Sequence, residues 1–221
     1  RQRQMCIRDR AKLLSLQAQV NPHFMFNALE SVRLRALAKG EKETAGVIKY
    51  MARMLRNLIE WERNIITLRE ELRFLDEFLY IQNYRFEDEF SYDIDVSEAA
   101  YDCLLPKMIL QPLVENAINH GLRNKRGDKE IRIEIKVKAD KLHICVADNG
   151  VGMEVTEINA SLRKNEIGPV EQGTSIGLHN INARLKILYG KQYGIYIESK
   201  IGEGTRVHMT LPRNTEERDH V

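Results

Sequence analysis

Four short segments follow one another in the second half of the chain, and each places polar or glycine residues where an ordinary core would not. In Leu110-Gln111-Pro112-Leu113-Val114-Glu115-Asn116-Ala117-Ile118-Asn119-His120-Gly121, Glu115 and Asn116 interrupt an apolar helical run. Polar groups in such a setting need partners. A carboxylate or an amide oxygen can ligate Mg²⁺, a hard ion that keeps several waters; the plain alternative is a helix C-terminus with ordinary polar residues. Asp148-Asn149-Gly150-Val151-Gly152-Met153 directly follows a strand pattern. Asn-Gly is a hairpin signal, yet no partner strand follows. Instead Glu154 to Gly173 has poor periodicity, which predicts a lid or binding loop. A carboxylate at a strand end can accept the exocyclic amine of adenine, and neighbouring glycines let backbone approach the ring.

The third segment, Gly173-Thr174-Ser175-Ile176-Gly177-Leu178, opens a helix. Exposed N–H groups there favour phosphate. No Gly-Lys-Ser/Thr follows and no G-x-G-x-x-G opens a βαβ unit, so neither a P-loop nor a dinucleotide fold is indicated. The fourth, Gly202-Glu203-Gly204-Thr205, precedes the last strand and reads on its own as a hairpin loop.

The frame around these segments is legible from periodicity. Residues 90–96 and 131–137 alternate with period two, Leu142 to Ala147 is a third strand, and 194–199 with 205–211 form a closing hairpin. Helical patterns cover 107–120 and 176–189, so helices lie on one face of a largely antiparallel sheet. The first third is helical. Leu14, Ala18, Met25, Leu29, Val32 and Ala36 form one stripe, interrupted at Pro22, with Asn21 as a possible N-cap. Lys39 to Lys42 is a turn. Val47, Met51, Met54 and Leu58, flanked by Ile48, Leu55 and Ile59, give a second helix too widely apolar for one neighbour, which points to a hairpin doubled into a dimeric four-helix bundle. Thr67-Leu68-Arg69-Glu70 is a capping box. The expected architecture is α+β: a helical unit over 1–66, a connecting helix over 67–88, a sandwich over 89–213 and a tail over 214–221.

Bulk properties exclude little else. The 221 residues are 43% hydrophobic and 30% charged, with a net charge of +2, so no basic footprint points to nucleic acid. Three isolated cysteines suggest neither disulfides nor a zinc site and fit a reducing cytosol. No apolar run reaches the roughly 18 residues of a membrane span.

Taken together, the four segments resemble the N, G1, G2 and G3 boxes of the GHKL ATP-binding fold, shared by gyrase, Hsp90, MutL and histidine kinases. Gln17-Ala18-Gln19-Val20-Asn21-Pro22-His23-Phe24-Met25-Phe26-Asn27-Ala28-Leu29 resembles the phosphoacceptor box of LytS/YesM-type sensor histidine kinases, and that branch characteristically carries Gln-Pro-Leu-Val-Glu-Asn-Ala in its N box. The resemblance, over residues 11 to 212, implies a two-component kinase that phosphorylates His23 from ATP and passes the phosphoryl group to an aspartate of a response regulator. It implies a homodimer, a membrane anchor only through upstream sequence, and a cytoplasmic catalytic region. It implies that Asn116, with Glu115 as a further ligand candidate, binds Mg²⁺ and that Asp148 reads adenine, with Gly150, Gly152, Gly173, Gly177, Leu178 and Thr205 lining the nucleotide. Two departures stand out. Asn119 occupies a place where such kinases often have lysine, and Phe24, not an acid, follows His23.

The residue-level reading agrees in outline. His23, Asn27 and Glu30 lie on the helix face opposite Met25, Leu29, Val32 and Ala36. With Phe24 unable to hold the imidazole and Glu30 two turns away, either neutral imidazole needs no base or an acid arrives with the ATP-binding domain, for which Glu115 is the candidate expected. Two other readings compete: a non-catalytic nucleotide-sensing module, or a GHKL ATPase driving a clamp. Clamp ATPases generally carry an acidic base four residues before the asparagine, where this chain has Pro112.

Overall fold

Proline's fixed φ suits a first helical turn, and Pro22 opens helix α1, Pro22–Ala38. The structure is a computed structural model and describes residues 22–59, 64–86, 89–164 and 174–215. Asn21, Leu14 and Ala18 lie outside the described residues. Gly40, at φ +81°, closes α1: its N–H donates to the Leu37 carbonyl at 3.0 Å, and Glu41 N–H donates to that of Ala36 at 3.0 Å. That pair of bonds is a Schellman cap, which needs the left-handed conformation glycine takes without strain. Helix α2, Lys42–Ile59, packs back on α1 through buried Ala36, Ala45, Val47 and Ile48. The Arg56 guanidinium lies 5.2 Å from the Phe26 ring centre. The apolar stripe expected along α1 is only partly covered. Val32 is 54% exposed, because the two helices meet along Ala36 and leave it to one side.

The chain divides into two units, Arg1–Glu62 and Arg63–Val221, ahead of the boundary expected near residue 88. The second runs β1 (Ile65–Thr67), α3 (Leu68–Arg85), β2 (Phe90–Val96), β3 (Leu104–Pro106), α4 (Leu110–Asn116), a wider π turn (Ala117–Leu122), β4 (Lys129–Lys138), β5 (Lys141–Asp148), α5 (Thr156–Lys164), α6 (Thr174–Tyr189), β6 (Gly194–Lys200) and β7 (Gly204–Pro212). The helix expected as a connector over 67–88 is α3, and packing explains why it belongs to this unit. Thr67 and Glu70 close the capping box, Thr67 N–H donating to Glu70 Oε2 at 2.9 Å and Glu70 N–H to Thr67 Oγ1 at 3.2 Å. The next N–H groups, of Leu68 and Arg69, donate to the carbonyls of Cys103 and Tyr101, while β1 pairs antiparallel with β3. Leu68, Leu75 and Leu79 are fully buried, each worth about 1.5–3 kcal/mol relative to exposure.

Five strands form a mixed sheet in the order β2-β4-β5-β7-β6, parallel only between β2 and β4. Alternate residues on β4, β5 and β7, among them Ile133, Ile144 and Met209, are buried on one face, which the π turn and α6 cover. The other face carries charge pairs set by register, Asp93 with Arg132 at 3.5 Å and Asp95 with Lys136 at 3.4 Å. Mixed helices and strands in this layering make the α+β sandwich expected.

The stretch from Glu154 to Gly173 is not uniformly irregular. Its first half is α5, pinned to the edge strand: Asn159 donates to the Ile197 carbonyl at 2.7 Å and accepts from Ile197 N–H at 3.0 Å. Ser161 Oγ lies 2.6 Å from His179 Nε2 on α6. The buried Asn159 pins this helix to the strand beside a short apolar face of Ile158 and Leu162, too brief for periodicity to mark. Residues 165–173 lie outside the described residues.

Candidate functional site

The register of the sheet brings the site together. Asp148 ends β5 between Ile131 of β4 and Thr205 of β7, so two residues 57 positions apart in sequence become cross-strand neighbours. Beside Asp148 lies a cavity lined by Leu113, Asn116, Ala117, His120, Gly121, Val146, Asp148, Gly152, Met153, Leu178, Thr205 and Val207. Five of these, from 113 to 121, recur at the spacing of one helix face. Hence α4 and the π turn form one wall, β5 and β7 the floor, and Leu178 of α6 another side. π turns are common at functional sites.

Asp148 is 9% exposed. Its Oδ1 accepts the Gly150 N–H at 2.9 Å. Burial pushes its carboxyl above the ordinary aspartate range, against the pull of backbone N–H groups of Gly150 and Thr205 and of the nearby Lys125 charge. Close packing depends on two glycines. A Cβ on Gly121 would overlap the Asp148 carboxylate, and one on Gly150 would overlap the Gly121 carbonyl. The Val151 N–H donates to that carbonyl at 3.0 Å, and Gly202 N–H to the Val151 carbonyl at 2.7 Å. The 148–152 loop is therefore clamped between the π turn and the β6–β7 hairpin. Asn149 is no hairpin corner: its Oδ1 accepts from Glu130 N–H at 2.9 Å and its amide donates to the Asp128 carbonyl.

Asn116 sits at the cavity wall with Nδ2 donating to the Pro112 carbonyl at 2.8 Å. Pro112, in the first turn of α4, forfeits no helical hydrogen bond because the first four N–H groups have no partner within the helix. Of the residues expected around a nucleotide, Asn116, Asp148, Gly152, Leu178 and Thr205 line the cavity. Gly150 is buried behind it against Gly121. Gly177 precedes Leu178 without lining the cavity, and Gly173 lies outside the described residues. Glu115 is exposed and off the lining face, one residue and about 100° around the helix from Asn116. His120 and Gly121 also line the cavity; helical spacing from Leu113 and Asn116 is the signal that places His120 there, whereas the space Gly121 leaves for Asp148 shows only in the fold.

In the first unit His23 is exposed, and Asn27, one turn later, brings Nδ2 within 3.3 Å of His23 Nδ1. The residue held against the imidazole is thus an amide, not an acid. Glu30 instead pairs with Arg33. Among the described residues, no cluster of three or more His, Cys, Asp or Glu side chains could hold a metal, and no helix is long and apolar enough to cross a membrane.

Fold and site define the class. The model of the histidine kinase-, DNA gyrase B- and HSP90-like ATPases matches residues 102–215, and the histidine kinase model matches residues 11–90. The chain belongs to the sensor histidine kinases, in their LytS/YesM branch. It is 34% identical to sensor histidine kinase YesM of Bacillus subtilis over 97% of this chain and 35% of that protein. It is 33% identical to sensor protein LytS of Staphylococcus saprophyticus over 97% of this chain and 36% of that protein. The chain thus spans about a third of the length of these relatives. The catalytic domain of histidine kinase ThkA shares the fold, at 15% identity and a TM-score of 0.50, covering 67% of this chain and 96% of that one.

Proposed function

We propose that this chain autophosphorylates His23 from Mg-ATP held in the cavity beside Asp148, and passes the phosphoryl group to an aspartate of a response regulator. The observation that carries this reading is the pairing of a buried acceptor with apolar walls. Leu113, Ala117, Val146, Met153, Leu178 and Val207 offer flat apolar contact, and Asp148 supplies an acceptor for an amine. An aminopurine needs that combination. Asn116 fits a Mg²⁺ ligand: with Nδ2 committed to Pro112, its Oδ1 is the end of the amide offered to a cation. One amide oxygen suffices for an ion held mainly by phosphates and water. When bound, Mg²⁺ would offset charge on the β- and γ-phosphates.

Transfer requires a lone pair on His23. As placed, the Asn27 Nδ2 faces His23 Nδ1; with the amide turned over, its oxygen accepts Nδ1–H, which fixes the tautomer that leaves the lone pair on Nε2 as nucleophile. The Nε2–Pγ bond forms, the bond from Pγ to the bridging oxygen breaks, and ADP leaves. The Nδ1 proton of the resulting cation is then held by Asn27 or passed on, and Glu115 is the proposed acceptor. The exposed apolar side chains of the first unit, Phe24, Val32, Leu34, Leu37 and Met51, support a homodimeric helical bundle. Attachment to a membrane would come from sequence upstream, with this region in the cytoplasm.

The test is labelling with γ-labelled ATP. Wild type should acquire acid-labile, alkali-stable phosphate. His23→Gln should acquire none while binding ATP as wild type does, because the nucleotide contacts lie in the other unit. Comparable label on the variant would remove His23 from the mechanism, and steady phosphate release without labelling would indicate a hydrolase.

A further inference from the structure

Glu71 is 1% exposed, an unusual place for a carboxylate, and the motifs around the cavity do not use it. It projects from the first turn of α3 into the start of α4. Its Oε2 accepts the Met108 N–H at 2.8 Å, and its Oε1 accepts those of Ile109 at 2.7 Å and Leu110 at 2.9 Å. Burial raises its carboxyl, and the three N–H donors and the Arg184 charge pull it back. The segment it grips is strained: Met108 has φ +61°, a left-handed conformation that a residue with a side chain keeps only when its surroundings impose it. Two further bonds hold the same segment. Lys107 N–H donates to the Asn64 carbonyl at 3.0 Å, and Arg184 donates to that of Lys107 at 3.0 Å.

Apolar packing and these bonds restrain α4 in different ways. Leu110, Leu113 and Val114 are fully buried and fix which face of the helix meets the core. Such contacts are non-directional and resist a slide along the axis weakly. Directional bonds to the first turn fix the axial position. Asn116 lies at the other end of the same two-turn helix, so a slide at Leu110 moves it by the same amount. Asp148 sits on β5 and would stay where it is.

We propose that Glu71 is a positioning residue that sets the axial position of α4, and through it the reach of Asn116 toward a nucleotide-bound Mg²⁺. This rests on the nucleotide reading above, and the experiment separates the two. Affinity for a non-hydrolysable ATP analogue is measured on the whole chain with Mg²⁺ and with EDTA, alongside melting temperature, for wild type, Glu71→Gln and Glu71→Ala. In the alanine variant the affinity gained from Mg²⁺ should shrink about tenfold, the scale of losing bonds to a charged group, while the EDTA value stays within about twofold. Glu71→Gln keeps Oε1 for Ile109 and Leu110 but turns an NH₂ toward the Met108 N–H, so it should fall between. If alanine does not fold, the glutamine variant carries the comparison. Equal losses with and without Mg²⁺, or no change in either, overturn the positioning role. A wild type that binds no analogue under either condition removes the nucleotide reading itself, and the inference with it.

Discussion

The helical hairpin and the sandwich bury their apolar residues to very different degrees. Among the described side chains of α1 and α2 the buried apolar ones are Ala36, Ala45, Val47 and Ile48, while Phe24 is 70% exposed and Leu34, Leu37 and Met51 are exposed as well. In the second unit Leu105, Ile109, Ile133 and Leu142 are wholly excluded from water. A two-helix hairpin cannot cover itself, whereas a sheet layered with helices can. The second unit therefore has a core of its own, while the described part of the hairpin leaves apolar faces that the proposed dimer would cover. In that proposed dimer the stability of the hairpin would depend on its interface, which suits a unit proposed to present His23.

The largest break in this contrast should come from Met54→Asp in α2. A charge in the proposed bundle should dissociate the dimer and melt the hairpin, since an unpaired buried charge costs several kcal/mol. The second unit should keep its melting transition and its nucleotide affinity. Sedimentation and calorimetry check both, and a wild type that is monomeric at micromolar concentration would count against the bundle. Next in size is Glu115→Gln, expected to slow autophosphorylation by a general-base factor of about 10²–10⁴ with Mg-ATP affinity near wild type. A parallel fall in affinity would make Glu115 a metal or structural residue. An unchanged rate would mean that the reaction runs without it.

How much of this was legible depended on whether a residue acts locally. The alternation in β2, β4, β5 and β7 announced the strands, and the capping box at Thr67 announced α3. Helix α5 did not show, because its anchor is the amide of Asn159 against an edge strand, a contact over 38 residues in sequence. The pairing of β1 with β3 was hidden by brevity, at three residues each. In the site, Asp148 and Asn116 could be read from motifs. Gly121 could not, since its importance is the space it leaves for the Asp148 carboxylate. Glu71 has no motif to mark it, since its partners are three backbone N–H groups 37 to 39 residues further along the chain. Asn27 lies on the His23 face of α1 one turn on, so its place is legible from helical spacing, but nothing in the sequence marks an amide as the partner of the imidazole.

A smaller effect is expected at the floor of the cavity. Asp148→Asn exchanges an ionised acceptor for an amide, whose NH₂ can face the adenine amine, donor to donor. Bonds of a charged acceptor are worth about 1.5–3 kcal/mol, so nucleotide affinity should fall about 10- to 100-fold. Unchanged affinity by calorimetry would remove Asp148 from recognition.

The smallest expected effect is the pH dependence of that same affinity, and its sign is the informative part. Burial outweighs the Gly150 and Thr205 N–H bonds and the Lys125 charge, so the Asp148 carboxyl titrates above its ordinary range. A raised folded-state pKa means that the protonated form is favoured by folding. Its contribution to stability is full below the unfolded pKa of about 3.9 and is lost as pH rises through the folded value. Adenine recognition has the opposite sign. The amine needs the ionised acceptor, so affinity should fall as pH falls through the raised pKa, starting at a higher pH than an ordinary aspartate would allow. Binding should then release a proton wherever the free site is partly protonated. Calorimetry between about pH 5 and 7.5, in buffers of different ionisation enthalpy, reads both the slope and the proton count. Asp148→Asn should flatten the slope and abolish the release. A wild-type slope that survives this substitution would assign the titration to a group other than Asp148.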